Sequence, residues 1–142
     1  MGGRKLASGS AFARWLGMRT ITEDGRATAT VTLGDLQEGP SRHAHGGVLM
    51  SIIDEVMGIA IWSTGRRALA VNLSFDLKRA VPLGVELMVE GLIETTDGRK
   101  TFTRGKLTLP DGTVAVEGRA IWVNAPPEIV GDHYFQFTDV ED

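Results

Sequence analysis

The sequence predicts an α+β fold in which one antiparallel sheet of five or six strands carries a single long helix across one face. Three observations predict it. One apolar run is too long for a strand, the segments flanking it alternate between apolar and polar residues, and turn residues join neighbouring segments closely enough for antiparallel pairing. With 142 residues, 42% of them hydrophobic and 23% charged, the chain is predicted to form one domain, residues 1–142.

The elements follow in order. Residues 1–18 are basic and free of acids, which faintly resembles an organelle transit peptide. Phe12, Trp15, Leu16 and Met18 read instead as the apolar side of a short docking helix. A first strand near residues 19–22 turns through Glu23-Asp24-Gly25 into residues 26–33. There Ala27, Ala29, Val31 and Leu33 oppose Thr28, Thr30 and Thr32. Residues 34–45, GDLQEGPSRHAH, form a loop.

The apolar run then predicts a helix from about Gly46 to Trp62, ended near Gly65. Ser51, Asp54, Glu55, Gly58 and Trp62 share one sector of its wheel, and the rest of the circumference is apolar. Beyond it, Leu69, Val71, Leu73, Phe75 and Leu77 alternate with polar or small residues, and Val85, Leu87 and Val89 do the same. Asp97-Gly98 turns into TFTRGKLTL, and Pro110-Asp111-Gly112 turns into TVAVEGRAIWV. Residues 124–142 carry five acids and no Lys or Arg, an acidic C-terminal tail of charge −5. The fifteen bases and thirteen acids of residues 1–123 leave +2.

A net charge of −3 without a clustered basic face argues against nucleic-acid binding. Asp54 and Glu55 interrupt the one run that approaches the roughly 18 apolar residues of a membrane span, so no membrane partner is expected. The absence of cysteine removes thiol nucleophiles and disulfides and leaves the cytoplasm as the expected compartment. His43, His45 and Asp54 are the nearest approach to a metal set. Asp54 lies two turns along the helix from the histidines, and no metal or cofactor is expected.

A single central helix wrapped by a curved antiparallel sheet is the hotdog architecture, and three stretches resemble one group within it. His45-Gly46-Gly47 followed by Asp54 is similar to the HGG-x6-D signature of the phenylacetyl-CoA and 4-hydroxybenzoyl-CoA thioesterase group. FARWLGM resembles that group's N-terminal docking segment, and VNLSFDLKRAVPLG its strand ending in Arg, Pro and Gly. The resemblance implies thioester hydrolysis by a dimer with two shared sites, in which the acid attacks the thioester carbonyl or activates water. Two departures stand out. Gly39 occupies the place of an Asn found in relatives six residues before the motif His, and Ala70 that of a Ser or Thr on the following strand.

The residues themselves support this chemistry. A helix N-terminus presents unpaired N–H groups, and Gly46 and Gly47 lack side chains that would keep a carbonyl oxygen away. The same glycines would also let a loop turn into a helix. Asp54 is either a reactive carboxylate or a cap or ion-pair member. Eight residues of helix rise about 12 Å, too far for Asp54 to serve a carbonyl held at its own helix N-terminus. Two antiparallel helices across a two-fold axis would bring each Asp54 to the other's glycines. His45 either positions the thioester or bonds backbone. His43, Lys78, Arg79, Arg104 and Lys106 are candidate contacts to substrate or to coenzyme A phosphates, or solvated strand ends.

The expected function is hydrolysis of a small aryl- or medium-chain acyl-CoA by Asp54, Gly46, Gly47 and His45 in a homodimer or dimer of dimers. The alternatives are a non-catalytic acyl-CoA-binding sensor or scaffold, and an acyl-thioester hydratase.

Overall fold

A computed structural model describes residues 3–131 and 134–140. The chain begins with strand β1 (Lys5–Ala7) and helix α1 (Ala11–Leu16), whose N-cap Ser10 accepts the Ala13 N–H through Oγ at 3.3 Å. Strands β2 (Arg19–Glu23) and β3 (Arg26–Thr32) form a hairpin. Its two turn residues, Asp24 and Gly25, have φ of 50° and 76°, the left-handed pair that matches strand twist. A 3₁₀ turn (Asp35–Gln37) interrupts the loop before the long helix α2 (Gly46–Trp62). Then come β4 (Ala68–Leu77), β5 (Glu86–Asp97), β6 (Lys100–Thr108) and β7 (Val114–Asn124). A single helical turn α3 (Pro127–Val130) and strand β8 (Phe137–Asp139) follow.

All described strands join one antiparallel sheet in the order β4-β7-β6-β5-β3-β2-β1-β8, with α2 packed against one face. The count is eight rather than five or six, because β1 and β8 hold three residues each and are too short to show a period. The core is the alternation made physical. Ala27, Ala29, Val31, Leu87, Val89, Leu107 and Val116 turn inward against Ile52, Ile53, Val56, Met57 and Ile59 of α2. Trp122 Nε1 donates to Thr103 Oγ1 at 2.8 Å, so the indole nitrogen is satisfied where it is buried.

Glycines set how deeply α2 sits. Gly91, Gly105 and Gly118 lie side by side across β5, β6 and β7. A Cβ built on Gly91 would stand 2.8 Å from Met57 N. One on Gly105 would stand 2.5 Å from Ile53 Cγ2, and one on Gly118 2.7 Å from Phe75 Cε1. Gly91 and Gly105 make a seat into which the helix is pressed closer than any side chain would allow. Gly118 makes room for the Phe75 ring of β4, and a Cβ there would also lie 3.1 Å from Ile53 Cγ2.

Strand β4 departs from simple alternation. A bulge between Ala70 and Asn72 leaves Val71 without a partner residue, so Leu69 faces away from the side shared by Ala70, Leu73, Phe75 and Leu77. The strand is also one end of the sheet, and Leu69, Val71, Leu73 and Leu77 remain 44–61% exposed. An exposed apolar edge strand invites pairing. Among the described residues, no helix is long and apolar enough to cross a membrane.

Candidate active site

The start of α2 is built by its own loop. His45 is the N-cap, and its Nδ1 accepts the Gly47 N–H at 2.9 Å. Since that nitrogen accepts, the ring proton sits on Nε2. A Cβ on Gly47 would lie 3.0 Å from His45 Cε1, so the glycine is what lets the imidazole fold back over the helix end. The Val48 and Leu49 N–H groups donate to the His45 carbonyl at 3.0 and 3.2 Å. The Gly46 N–H has no hydrogen-bond partner among the described residues. Of the two glycine donors that the sequence offers, one is therefore occupied by His45 and one is open.

Gly39 has a physical reason. A Cβ there would lie 2.7 Å from His45 Cα, and the Gly39 N–H donates to the His43 carbonyl at 3.0 Å. The loop closes on itself too tightly to hold an Asn side chain at this position. His43 Nδ1 donates to the Ser41 carbonyl at 2.8 Å, because a carbonyl can only accept.

A pocket of about 240 Å³ opens beside this helix end, lined by His43, Gly46, Leu77, Lys78 and Arg79 among others. Lys78 also pairs with Glu117 at 3.1 Å. Arg104 is elsewhere. It alternates with the inward Thr103 and Gly105, so it stands on the outer face of the sheet, where its Nε pairs with Glu94 at 3.4 Å. Lys106 lies on that same outer face, in a separate depression shared with Glu90, Glu117 and Arg119. The register that turns Gly105 toward α2 turns its neighbours away. Arg104 and Lys106 join neither Gly46 nor Asp54 within the protomer.

Asp54 opens into another pocket, of about 330 Å³, bounded by α2, β4, β7 and the residues after β7. It is half-buried, and among the described residues it has no hydrogen bond or ion pair. Burial raises its pKa above the ordinary carboxylate value, and the neighbouring Glu55 charge raises it further. Gly46 does not line this pocket, nor Asp54 the one beside Gly46. The two halves of the expected site lie apart in one protomer, as the helix rise requires. Ala70 of β4 lines the pocket beside Asp54 and carries no hydroxyl.

Two features escape sequence reading. Glu55, grouped with Asp54 on the wheel, is buried, and its Oε2 accepts from Ser10 N at 2.8 Å and Ser10 Oγ at 2.7 Å. It clamps α1 onto α2 and leaves Asp54 as the carboxylate without a partner. The second is aromatic. Trp62 meets Phe135 edge-on at 5.2 Å and 82°, and Tyr134 stands 4.5 Å from Phe135. The Tyr134-Phe135 pair within an acidic tail was the available signal. Among the described residues no cluster of His, Asp and Glu is arranged to hold a metal ion.

Comparison with known proteins identifies the architecture. A model of the family described as thioesterase superfamily matches residues 42–116, which include the His45-Gly46-Gly47 loop, Asp54 and β4 to β6. The acyl-coenzyme A thioesterase THEM4 of Xenopus laevis is 30% identical over 96 residues, 66% of this chain and 43% of that protein. The chain thus spans less than half the length of the curated relatives it matches. A solved thioesterase superfamily protein is 34% identical with a TM-score of 0.72, over 75% of this chain and 55% of that one. The Escherichia coli PaaI protein from the phenylacetic acid degradation operon shares the fold at 20% identity. Its TM-score is 0.78, over 82% and 86% of the two chains. The helix wrapped by its sheet is a hotdog fold, and the chain belongs to the thioesterase superfamily.

Proposed function

We propose that the protein hydrolyses a small aryl- or medium-chain acyl-CoA to a carboxylate and coenzyme A, at two sites shared across a homodimer. The observation that carries this reading is the separation of its chemical parts. An unpartnered, half-buried carboxylate lines one pocket, and an open helix-terminal N–H lines another beside Lys78 and Arg79. The exposed apolar edge of β4 supplies a surface over which a second copy would unite them.

In such a dimer the Gly46 N–H of one protomer and the dipole of its α2 would polarise the thioester carbonyl and stabilise the oxyanion that forms on it. His45 would hold the loop through Gly47. Asp54 of the other protomer would attack that carbon or take the proton of the attacking water. Its raised pKa makes it a stronger base than a solvated carboxylate. Lys78, Arg79 and His43 would lie along the path of the coenzyme A phosphates. Sequence similarity to the phenylacetyl-CoA group favours an aryl acyl group, and a dimer of dimers would follow from further pairing of sheets.

A panel of aryl- and alkyl-CoA esters with a free-thiol readout tests the proposal. Turnover should fall about 10²- to 10⁴-fold in Asp54→Asn, with coenzyme A binding kept. Undiminished turnover in a folded Asp54→Asn protein removes Asp54 from the chemistry. Gly39 and Ala70, which lack the helper groups of relatives, favour a second reading, an acyl-CoA-binding protein without catalysis. Tight binding with no thiol release from any ester would establish it.

A further inference from the structure

The pocket beside Asp54 carries more information than the reaction needs. Its outer side is made by Ile129, Val130, Tyr134 and Phe135, from the stretch that charge alone marks as an acidic tail. Ile129 and Val130 lie on the α3 turn, which the Gly131 N–H closes by donating to Pro127 O at 2.7 Å. After Phe135, Ser8 N donates to Gln136 O at 2.8 Å and Gln136 N to Ser8 Oγ at 3.0 Å, and β8 then pairs with β1. Phe135 is buried, edge-on against Trp62. Phe135 is thus the buried anchor of this wall.

The floor has a matching feature at Gly58, one turn beyond Asp54 on α2. A Cβ there would stand 3.3 Å from Trp122 Cη2 and 4.0 Å from Phe135 Cε2. Glycine in a helix interior costs about 1 kcal/mol against alanine, and here it lets the Trp122 ring lie closer to the helix than a methyl group would allow. The charge of the lining is one-sided. Asp54 and Glu55 contribute to it, and among the described residues of the protomer no Lys or Arg does. At about 330 Å³ the pocket lies at the small end of ligand sites, which start near 300 Å³.

Building on the thioesterase reading, we infer that Ile129, Tyr134 and Phe135 form the wall that limits acyl length, and that Gly58 sets the floor. The pocket accepts a compact, uncharged, apolar acyl group. An acyl group ending in a carboxylate is rejected, because it would bring a third negative charge into a lining that, among the described residues of the protomer, holds no Lys or Arg.

The test uses S-alkyl-CoA thioethers of increasing chain length, which cannot be hydrolysed, and S-(carboxyalkyl)-CoA of matched length, with affinities from calorimetry. Wild type should bind short thioethers best, and the carboxylated series at least tenfold more weakly. Ile129 and Tyr134 are 64% and 54% exposed, so truncating them spares the core. Ile129→Ala with Tyr134→Ala should move the optimum to longer chains, gaining roughly fourfold per methylene newly accommodated. Gly58→Ala should shift it the other way, losing at least tenfold on the longest chain that wild type binds. If all three proteins show the same ratio of long- to short-chain affinity, the wall and floor assignment is overturned. Equal affinity for carboxylated and plain thioethers overturns the charge selectivity. A wild-type protein that binds thioethers by this pattern yet leaves thioesters intact keeps the wall and removes the hydrolase. Failure to bind any thioether removes both.

Discussion

Replacing Gly91 by alanine should lift the long helix from its seat. The added Cβ would stand 2.8 Å from Met57 N and 2.9 Å from Met57 Cα and Val56 C, whereas carbon atoms rest at about 3.5–4.0 Å. These are helix backbone atoms, with no rotamer to change, so relief requires α2 to rise by several tenths of an ångström from β5. Overpacking of this kind costs about 1–3 kcal/mol, and rigid backbone places it at the upper end. Alanine returns roughly 0.5–1 kcal/mol by restricting the unfolded chain. The net loss is about 2 kcal/mol, or about 4–8 °C in Tm for a chain of this size. Urea and thermal unfolding followed by circular dichroism measure it. Gly34→Ala is the control, since its Cβ would meet nothing nearer than Gln37 Oε1 at 4.0 Å. Gly105→Ala should destabilise comparably, because its Cβ would stand 2.5 Å from Ile53 Cγ2, a branch methyl that χ1 fixes in the helix, and 3.2 Å from the Glu90 carbonyl oxygen. If Gly91→Ala unfolds together with the Gly34→Ala control, the seat does not hold the helix and the argument fails.

Other consequences can be checked alongside. The acid limb of kcat/KM should lie above the usual carboxylate range, because burial and then Glu55 raise the Asp54 pKa, and Glu55→Gln should move that limb down. Asp54 holds its proton more tightly folded than unfolded, so its stabilising contribution is complete below the unfolded pKa and is lost as pH rises through the raised folded value. Asp54→Asn should therefore be more stable than wild type at neutral pH while losing activity; lower stability there would contradict the burial. Mixed Asp54→Ala and Gly46→Val subunits, each inactive alone, should regain about a quarter of wild-type turnover. Half the dimers are then mixed, and each mixed dimer holds one intact site; no recovery after verified exchange would place both residues in one chain's site. Leu73→Asp on the exposed edge of β4 should shift sedimentation toward monomer and abolish turnover, and an active monomer would refute the shared site.

The sequence made the elements legible where a period could express itself. Helix α2 runs from Gly46 to Trp62 as its apolar run implies, and β3, β5, β6 and β7 turn inward the residues that their alternation marks. Period fails over three residues, so β1 and β8 were invisible, and it fails at the Val71 bulge, which reverses the facing of Leu69. The seat was hidden for another reason. Gly91 and Gly105 are unremarkable apart and become one feature only when register sets them side by side. For the candidate site, motif spacing located Asp54 and the helix end but could not tell which glycine N–H stays open, because that depends on the rotation of the His45 ring. It selected Asp54 by spacing from the glycines, but the role of its neighbour Glu55, which Ser10 takes up, had no signal in the sequence.

The pairing of β1 with β8 joins residues as distant as Lys5 and Asp139, which also form an ion pair. Its consequence lies in the order of assembly. Closing a loop of this length is entropically among the most expensive contacts the chain makes, and the reward is three residues of ladder. The β5-β6-β7 meander, closed by short turns and backed by α2, can form without it. The β1–β8 ladder, which holds the chain just beyond Phe135, should thus form late and loosen first. Amide exchange should find β8 opening well before β6, with α2 still seated. Acyl selectivity would then rest on a part of the molecule that can be retuned, or briefly opened, without disturbing the carboxylate beneath it.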